Sequence, residues 1–530
     1  MKKLIRLLIE NILIVVFVPI IVPFSIYVRN SDDVPIGVFF RAALISILLF
    51  IIMVAFASLV FHDQRKTILF SSVTFLLLYF YGALYDYLLN STSDLGHHKI
   101  LAVIFIVVII TLAWIIFKVK LSSSIIQAIK VISSIFIILQ IFLLVPKIYR
   151  KITENPSVTA NSSPGGQQFK RDMRHVAVTK EHGTPDVYYI ILDSYGRNDV
   201  INKYFSYDNS HFTDSLKDMG FYIANCSRSN YMVTRSSLAS SLNLEYLQEA
   251  NPAFTPGNTD NRPLITMIQG ATVFQLFKSL GYETNTFKTN FDFINIVNVD
   301  HYRQPSTPIS FLGNISPYEI LLFKHSIFRV FYDTHIPWVD PVFDEITFPH
   351  RDYVDLQNFI FTNLIKISTS TQPNFTYAHL TVPHTPYIFR ADGTFTMDRR
   401  YFGGIADYPN SNELFIDGYV NQIEYVNQRI LSLVKEIISI SSTPPIIIIQ
   451  GDHGAIMDDR LPILNAYYFP GVQDTGLYPS ISPVNSFRLL FDDYFAGGYP
   501  ILEDNSYYSL YNYPYNWKSV AESSDACLKR

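Results

Sequence analysis

Hydrophobic positions crowd the first 150 residues and are then rationed along the rest of the chain. Four apolar runs, Leu4–Val28, Ile36–Phe61, Thr67–Leu89 and Ile100–Phe117, are each long enough to cross a hydrocarbon core about 30 Å thick. The first is too long for a signal-peptide core and more apolar runs follow it without a break, so it reads as a spanning helix. A fifth run, Ser122–Val145, contains Gln127, Lys130 and Gln140. It predicts an interfacial piece around 119–130 and a short span over Val131–Val145. Five spans is the expectation, with four as the alternative. None of these runs has the one-sided period of a helix packed in a soluble core.

Beyond them the pattern changes. Asn155-Pro156, Asn161-Ser162-Ser163-Pro164-Gly165-Gly166 and Gln167-Gln168 are turn and linker chemistry, so 151–185 reads as a linker between a transmembrane domain at 1–150 and a soluble domain at 186–500, with 501–530 as a tail. In the soluble part, apolar β-favouring runs alternate with helical periods. Asp186–Leu192, Glu283–Phe287, Thr376–Leu380 and Ile446–Ile449 read as strands. Thr272–Leu280 and Tyr419–Ile440 read as helices, the second with Val420, Ile423, Val426, Ile430, Leu433 and Ile437 on one face. Four consecutive isoleucines are apolar on both faces, as a strand buried in a parallel sheet must be. The fold class is therefore α/β: an N-terminal helix bundle, then an α/β/α domain with a mostly parallel central sheet.

Composition adds boundaries. Charged residues are 16% and hydrophobic residues 49% of the 530 positions, and the net charge is -4, with no long basic stretch to suit nucleic acid. The two cysteines, Cys226 and Cys527, allow one bridge and exclude a four-cysteine metal site. Lys2, Lys3 and Arg6, then Arg65 and Lys66, then Lys118 and Lys120 fall on one side of the spans. Arg29, Arg41, Lys99, Lys147, Arg150 and Lys151 fall on the other. The balance is close; the first helix tips it toward an amino terminus inside, and five spans then put the soluble domain outside.

The candidate chemistry sits where strands end. Asp193 follows one strand and Asp452-His453 follows another, and in open α/β sheets ligands bind beyond the carboxyl ends of strands. Asp452-His453 between two glycines reads either as half of a metal site or as an Asp-initiated turn. Asp193 reads either as a carboxylate delivered to a site or as a cap. Thr234, at the start of a helix rich in small hydroxyl residues, is either an N-cap or a nucleophile whose charged intermediate is held by the helix N-terminus. His384 lies in the loop Pro383-His384-Thr385-Pro386.

Taken in order, these motifs resemble the sulfatase-like branch of the alkaline phosphatase superfamily. With apparent spans ahead of them, they resemble its membrane-bound lipoteichoic acid synthases and lipid A phosphoethanolamine transferases. The resemblance implies one divalent metal ion, zinc or manganese, on Asp193, Asp452, His453 and Thr234. It implies that Thr234 is the nucleophile, that His384 faces the leaving oxygen, and that Lys288 and Arg235 bind substrate. It implies transfer of a phosphoethanolamine- or phosphoglycerol-type group from a membrane lipid donor to an envelope glycan or lipid acceptor, at the cell membrane. Two departures matter: Ser194 stands where sulfatases carry a second Asp, and Thr234-Arg235-Ser236 is not a formylglycine motif. A tethered phosphate or sulfate ester hydrolase uses the same residues, and a non-catalytic receptor or scaffold would keep only the fold.

Overall fold

The computed structural model describes residues 2–31, 34, 36–90, 98–122, 124–153, 174–305, 315–333, 350–368, 370, 372–403, 413–456, 459–473 and 475–520. Most of the expected linker and the last ten residues lie outside these. The chain divides into two units, Met1–Glu154 with Thr307–Arg351, and Asn155–Ser306 with Asp352–Arg530.

The first unit holds α1 (Lys2–Glu10), α2 (Ile12–Arg29), α3 (Ile36–Phe61), α4 (Gln64–Asn90), α5 (His98–Lys118) and α6 (Ser124–Thr153). Five of them, α2 to α6, are long and apolar enough to cross a membrane. Two expectations need correction. The first run is not one helix: it breaks at Asn11, whose side-chain amide donates to the Leu7 carbonyl at 2.9 Å, leaving α1 as a separate helix. The last run does not divide into an interfacial piece and a short span; α6 is continuous. Lys130 is tolerated within it because its Nζ donates to the Glu10 carbonyl, 3.0 Å away, at the end of α1.

A segment from the middle of the chain also belongs to this unit. Helix Pro317–His325 places Tyr318 so that its hydroxyl donates to the Pro23 carbonyl at 2.7 Å, and Glu319 so that it forms a two-pronged ion pair with Arg41. Farther on, Arg329 meets Asp86 at 2.7 Å, and His98 meets Asp333 at 3.1 Å. These partners lie toward the ends of α2 and α4 and the starts of α3 and α5. An up-and-down bundle puts those four ends on one side. The same side receives the end of α6, where Lys147 Nζ donates to the Val28 carbonyl at 2.8 Å.

The second unit is built on a seven-stranded sheet. Its strands are β1 (Val187–Leu192), β2 (Tyr222–Ile223), β3 (Glu283–Phe287), β4 (His301–Arg303), β5 (Asn374–Leu380), β6 (Ile446–Gly451) and β7 (Asn465–Tyr468), in the order β2-β7-β6-β1-β5-β3-β4. β6, β1, β5, β3 and β4 run parallel; β7 and β2 complete one edge antiparallel. The central strands are buried on both faces, which is why their sequences are apolar without alternation. Tyr189, Ile448, Phe375 and Tyr377 enter one cluster with Leu238 of α7 (Thr234–Ser241) and Phe487 and Phe491 of α9 (Pro483–Phe495). Between these helices in the chain lies α8 (Glu413–Ile440), which buries Tyr419, Ile423, Val426, Ile430, Leu433 and Ile437. The described part of 501–530 is not an extended tail. It carries an antiparallel hairpin, β8 (Tyr507–Leu510) and β9 (Tyr513–Ser519), with Tyr515 in the core.

The register places the site. Leu192 lies beside both Leu380 and Gly451, so β1, β5 and β6 end level. At the opposite end of β1, Asp186 accepts from the Asn374 backbone N–H at 2.8 Å. Burial pushes its carboxyl up to about 6, against that hydrogen bond. A carboxyl raised on folding is protonated preferentially in the folded chain, so its contribution to stability falls as pH rises from about 4 toward 6. Asp186→Asn keeps an acceptor without the charge. Thermal unfolding of the variant should show a weaker pH dependence over that interval than the parent; an unchanged profile would refute the assignment.

Candidate active site

Asp193 leaves β1 in a turn that puts Ser194 in the left-handed region, at φ +66°. Its backbone N–H donates to Leu380 across the sheet at 3.0 Å. Asp452 leaves β6 beside it, and its Oδ1 accepts from the backbone N–H groups of Ser194 and His453 at 3.1 and 2.9 Å. The strand end tolerates no side chain at Gly451: a Cβ there would stand 2.3 Å from the Tyr195 carbonyl oxygen. Gly451→Ala should therefore cost about 1–3 kcal/mol by overpacking and displace Asp452. Circular dichroism melts would measure the cost, and a melt matching the parent's would disprove it.

Thr234 opens α7 at its first helical position, after Val233, an N-cap residue with no polar side chain. Its hydroxyl lies 3.0 Å from His453 Nε2. On the other side of the ring, Nδ1 lies 3.0 Å from the Gly454 carbonyl and 2.8 Å from Arg460 Nη2. Nε2 lies 3.4 Å from Asp452 Oδ2 and 3.8 Å from Asp193 Oδ1. The four residues expected to share an ion thus converge at one place.

A fifth member went unanticipated. His379, on β5, sets Nε2 3.2 Å from Asp193 Oδ2 and Nδ1 3.1 Å from the Tyr377 hydroxyl. Asp193, His379 and Asp452 offer ligand atoms all within 4.8 Å of one another. The sequence signal was a histidine inside the expected strand Thr376–Leu380, five positions before His384.

His384 lines a cavity of about 280 Å³ together with Thr234, His453 and Arg460. Its Nδ1 lies 2.6 Å from the Thr385 carbonyl. Arg235 follows Thr234 and packs beside Phe293 and Tyr511. Lys288 is not brought to the cluster: it is exposed beyond the end of β3 and does not line the cavity. Arg460, overlooked in the sequence, places Nη2 2.7 Å from His453 Nε2.

The electrostatics suit a cation. Burial raises the Asp452 carboxyl to about 6, helped by the charge of Asp193. Burial would raise Asp193 as well, but the neighbouring His384 imidazole and then the hydrogen bond to His379 hold it below the usual carboxylate range. His453 is kept neutral by burial and then by the Arg460 guanidinium. Asp452 Oδ2 is buried and accepts no hydrogen bond. A buried carboxylate oxygen without a donor, beside a second carboxylate and the His379 ring, fits a divalent metal ion.

A parallel sheet whose strand ends gather carboxylates, histidines and a hydroxyl at a helix start defines a class: a sulfatase-like α/β domain, here following five helices long and apolar enough to cross a membrane. The chain belongs to the sulfatase family, whose model matches residues 185–487. No curated protein sequence matches it. Among solved structures, it is similar to the Zn-bound periplasmic domain of Escherichia coli EptC, with TM-score 0.41, 12% identity, and coverage of 67% of this chain and 96% of that one. It is similar to the integral membrane lipooligosaccharide phosphoethanolamine transferase A of Neisseria meningitidis, with TM-score 0.37, 11% identity, and coverage of 91% and 96%. A Vibrio parahaemolyticus protein of the alkaline phosphatase superfamily matches with TM-score 0.38, 12% identity, and coverage of 67% and 80%.

Proposed function

We propose that the chain is a multi-pass membrane enzyme that transfers a phospho-group from a lipid donor to a cell-envelope acceptor through Thr234. The observation that carries this is the Thr234 hydroxyl, 3.0 Å from His453 Nε2 and beside a buried carboxylate pair. Asp193, Asp452, His453 and Thr234 would hold one zinc or manganese ion, with His379 bonded to Asp193 behind them. Such an ion supplies a lowered hydroxyl pKa and neutralises charge on the phosphoryl oxygens.

The remaining steps fall to side chains. The Oγ–P bond of Thr234 forms as the bond from phosphorus to the diacylglycerol oxygen breaks, and His384 gives that oxygen its proton. The acceptor hydroxyl then attacks the same phosphorus, returns a proton to His384 and releases Thr234. The N-terminus of α7 stabilises the charge that develops beside it.

Placement outside the cell membrane is part of the same reading. It is supported by the lysine and arginine distribution and by the five helices long and apolar enough to cross a membrane. It is also supported by Cys226, which is disulfide-bonded; its only available partner, Cys527, lies outside the described residues.

Product analysis of the purified chain with a phospholipid and an envelope acceptor tests the proposal. Diacylglycerol with a modified acceptor is expected; release of inorganic phosphate or sulfate alone would replace the transferase reading with a hydrolase. His384→Ala should cut turnover by about 10²–10⁴-fold. It should cut it least with donors whose leaving oxygen needs no proton, and an equal loss for all donors would remove His384 from the proton's path.

A further inference from the structure

We propose that the C-terminal hairpin forms the wall of the catalytic cavity that receives the apolar shoulder of the lipid donor, the glyceryl and first acyl carbons next to the phosphoryl group. The proposal rests on the transferase reading above and assigns residues 507–519 a part in it.

Three observations carry it. Tyr508, Ser509, Leu510 and Tyr511 line the same cavity as Thr234 and His384. The wall they form is apolar and open: Leu510 is 53% and Tyr511 60% exposed, and Phe291 and Phe293 line the cavity with them. Large apolar side chains left in water around a reactive centre mark a surface built to be covered. The third observation is a link to the nucleophile. Arg235, the residue after Thr234, stacks its guanidinium 3.8 Å from the Phe293 ring centroid and 5.2 Å from that of Tyr511, and donates to the Tyr511 hydroxyl at 3.0 Å. A cation between two rings beside an apolar wall suits an amphipathic anion, apolar on one side and phosphate on the other. In a chain with five helices long and apolar enough to span a membrane, that ligand is a phospholipid.

The base of the hairpin is fixed independently of its tip. Tyr507 N–H donates to the Asn230 carbonyl at 2.9 Å, Ser506 Oγ donates to the Ser229 carbonyl at 2.9 Å, and the Tyr231 and Tyr507 rings stack at 5.5 Å. Changes at the tip should therefore leave the fold in place.

The test uses the full chain in detergent, a dihexanoyl phospholipid, and the p-nitrophenyl ester of the same head group, which lacks the glyceryl shoulder. Leu510→Ser and Tyr511→Ser should lower the ratio of kcat/KM for lipid over nitrophenyl ester by at least about tenfold, mainly through KM. Leu510→Met should restore the ratio. Equal losses on both substrates would make the hairpin a mere support of the Thr234 loop and overturn the proposal, as would an unchanged ratio. An effect confined to the KM of the acceptor would assign the wall to the acceptor instead, and overturn it too. Failure of the unaltered chain to turn over either substrate would overturn the transferase reading itself, and this one with it.

Discussion

Replacing Thr234 with Ala should reduce turnover by about 10⁴-fold or more while leaving the melting temperature close to the parent's. The two halves of this expectation have separate grounds. A threonine at a helix start is ordinarily a cap, and removing a cap costs about 1 kcal/mol. Here the capping position is Val233, and Thr234 is the first helical residue, with its hydroxyl 3.0 Å from His453 Nε2. The structural duties of this helix belong to other hydroxyls. Ser237 Oγ and Ser229 Oγ both donate to the Asp452 carbonyl, at 2.9 and 2.6 Å, and Ser229 and Ser237 hydroxyls meet at 3.1 Å. Ser237→Ala should therefore lower stability and activity together, whereas Thr234→Ala should lower activity alone. Thr234→Ser, which keeps the attacking oxygen, should retain measurable turnover. A mass spectrum of the stalled parent enzyme should place the phospho-group on the Thr234 peptide. Undiminished turnover by Thr234→Ala would end the covalent scheme.

Much of this site was legible because the features that build it are local. Ile446–Ile449 is apolar on both faces, so it announces a central parallel strand, and residues just past such a strand fall at the sheet edge where ligands bind. The same logic exposed Asp193. What escaped depends on which residues become neighbours. His379 sits inside a buried strand, and only the register that sets Leu192 beside Leu380 turns it toward Asp193. Arg460 reaches His453 from a segment with no distinctive pattern. Lys288 follows the expected strand, yet that strand is two places from β1 in the sheet, so its end is remote from the carboxylates. The membrane part shows the same division. Hydropathy found five spans, but Lys130 misled it, because a lysine that reaches a helix-end carbonyl need not interrupt the helix that carries it. The affiliation of Pro317–His325 with the long helices rests on pairs such as Arg41 with Glu319, 278 positions apart, which no window along the chain can show.

Stripping the metal should expose a conflict that the ion resolves. Asp193 and Asp452 are buried side by side, and Asp452 is pushed up to about 6, by burial first and by Asp193 second. Above that pH the metal-free chain holds two neighbouring buried carboxylates, and Asp452 Oδ2 accepts no hydrogen bond. Adding zinc or manganese at about a hundred times its dissociation constant should stabilise the folded chain by about 2.7 kcal/mol, seen as a rise in melting temperature that a chelator reverses along with activity. Asp452→Asn makes the argument two-sided. It removes a ligand, so the metal-dependent rise should vanish and turnover with it. It also removes a like charge from beside Asp193, so the metal-free variant should melt no lower than the metal-free parent above pH 6, and higher where relief of repulsion exceeds the amide's own burial cost. A structural role for Asp452 alone predicts the reverse: a destabilised variant, and a parent indifferent to chelation. A non-catalytic scaffold predicts no metal-dependent shift in either protein. Melting curves of parent and variant, each with and without the ion, separate these cases, and a parent that neither gains stability from zinc or manganese nor loses activity to a chelator would remove the metal from the site altogether.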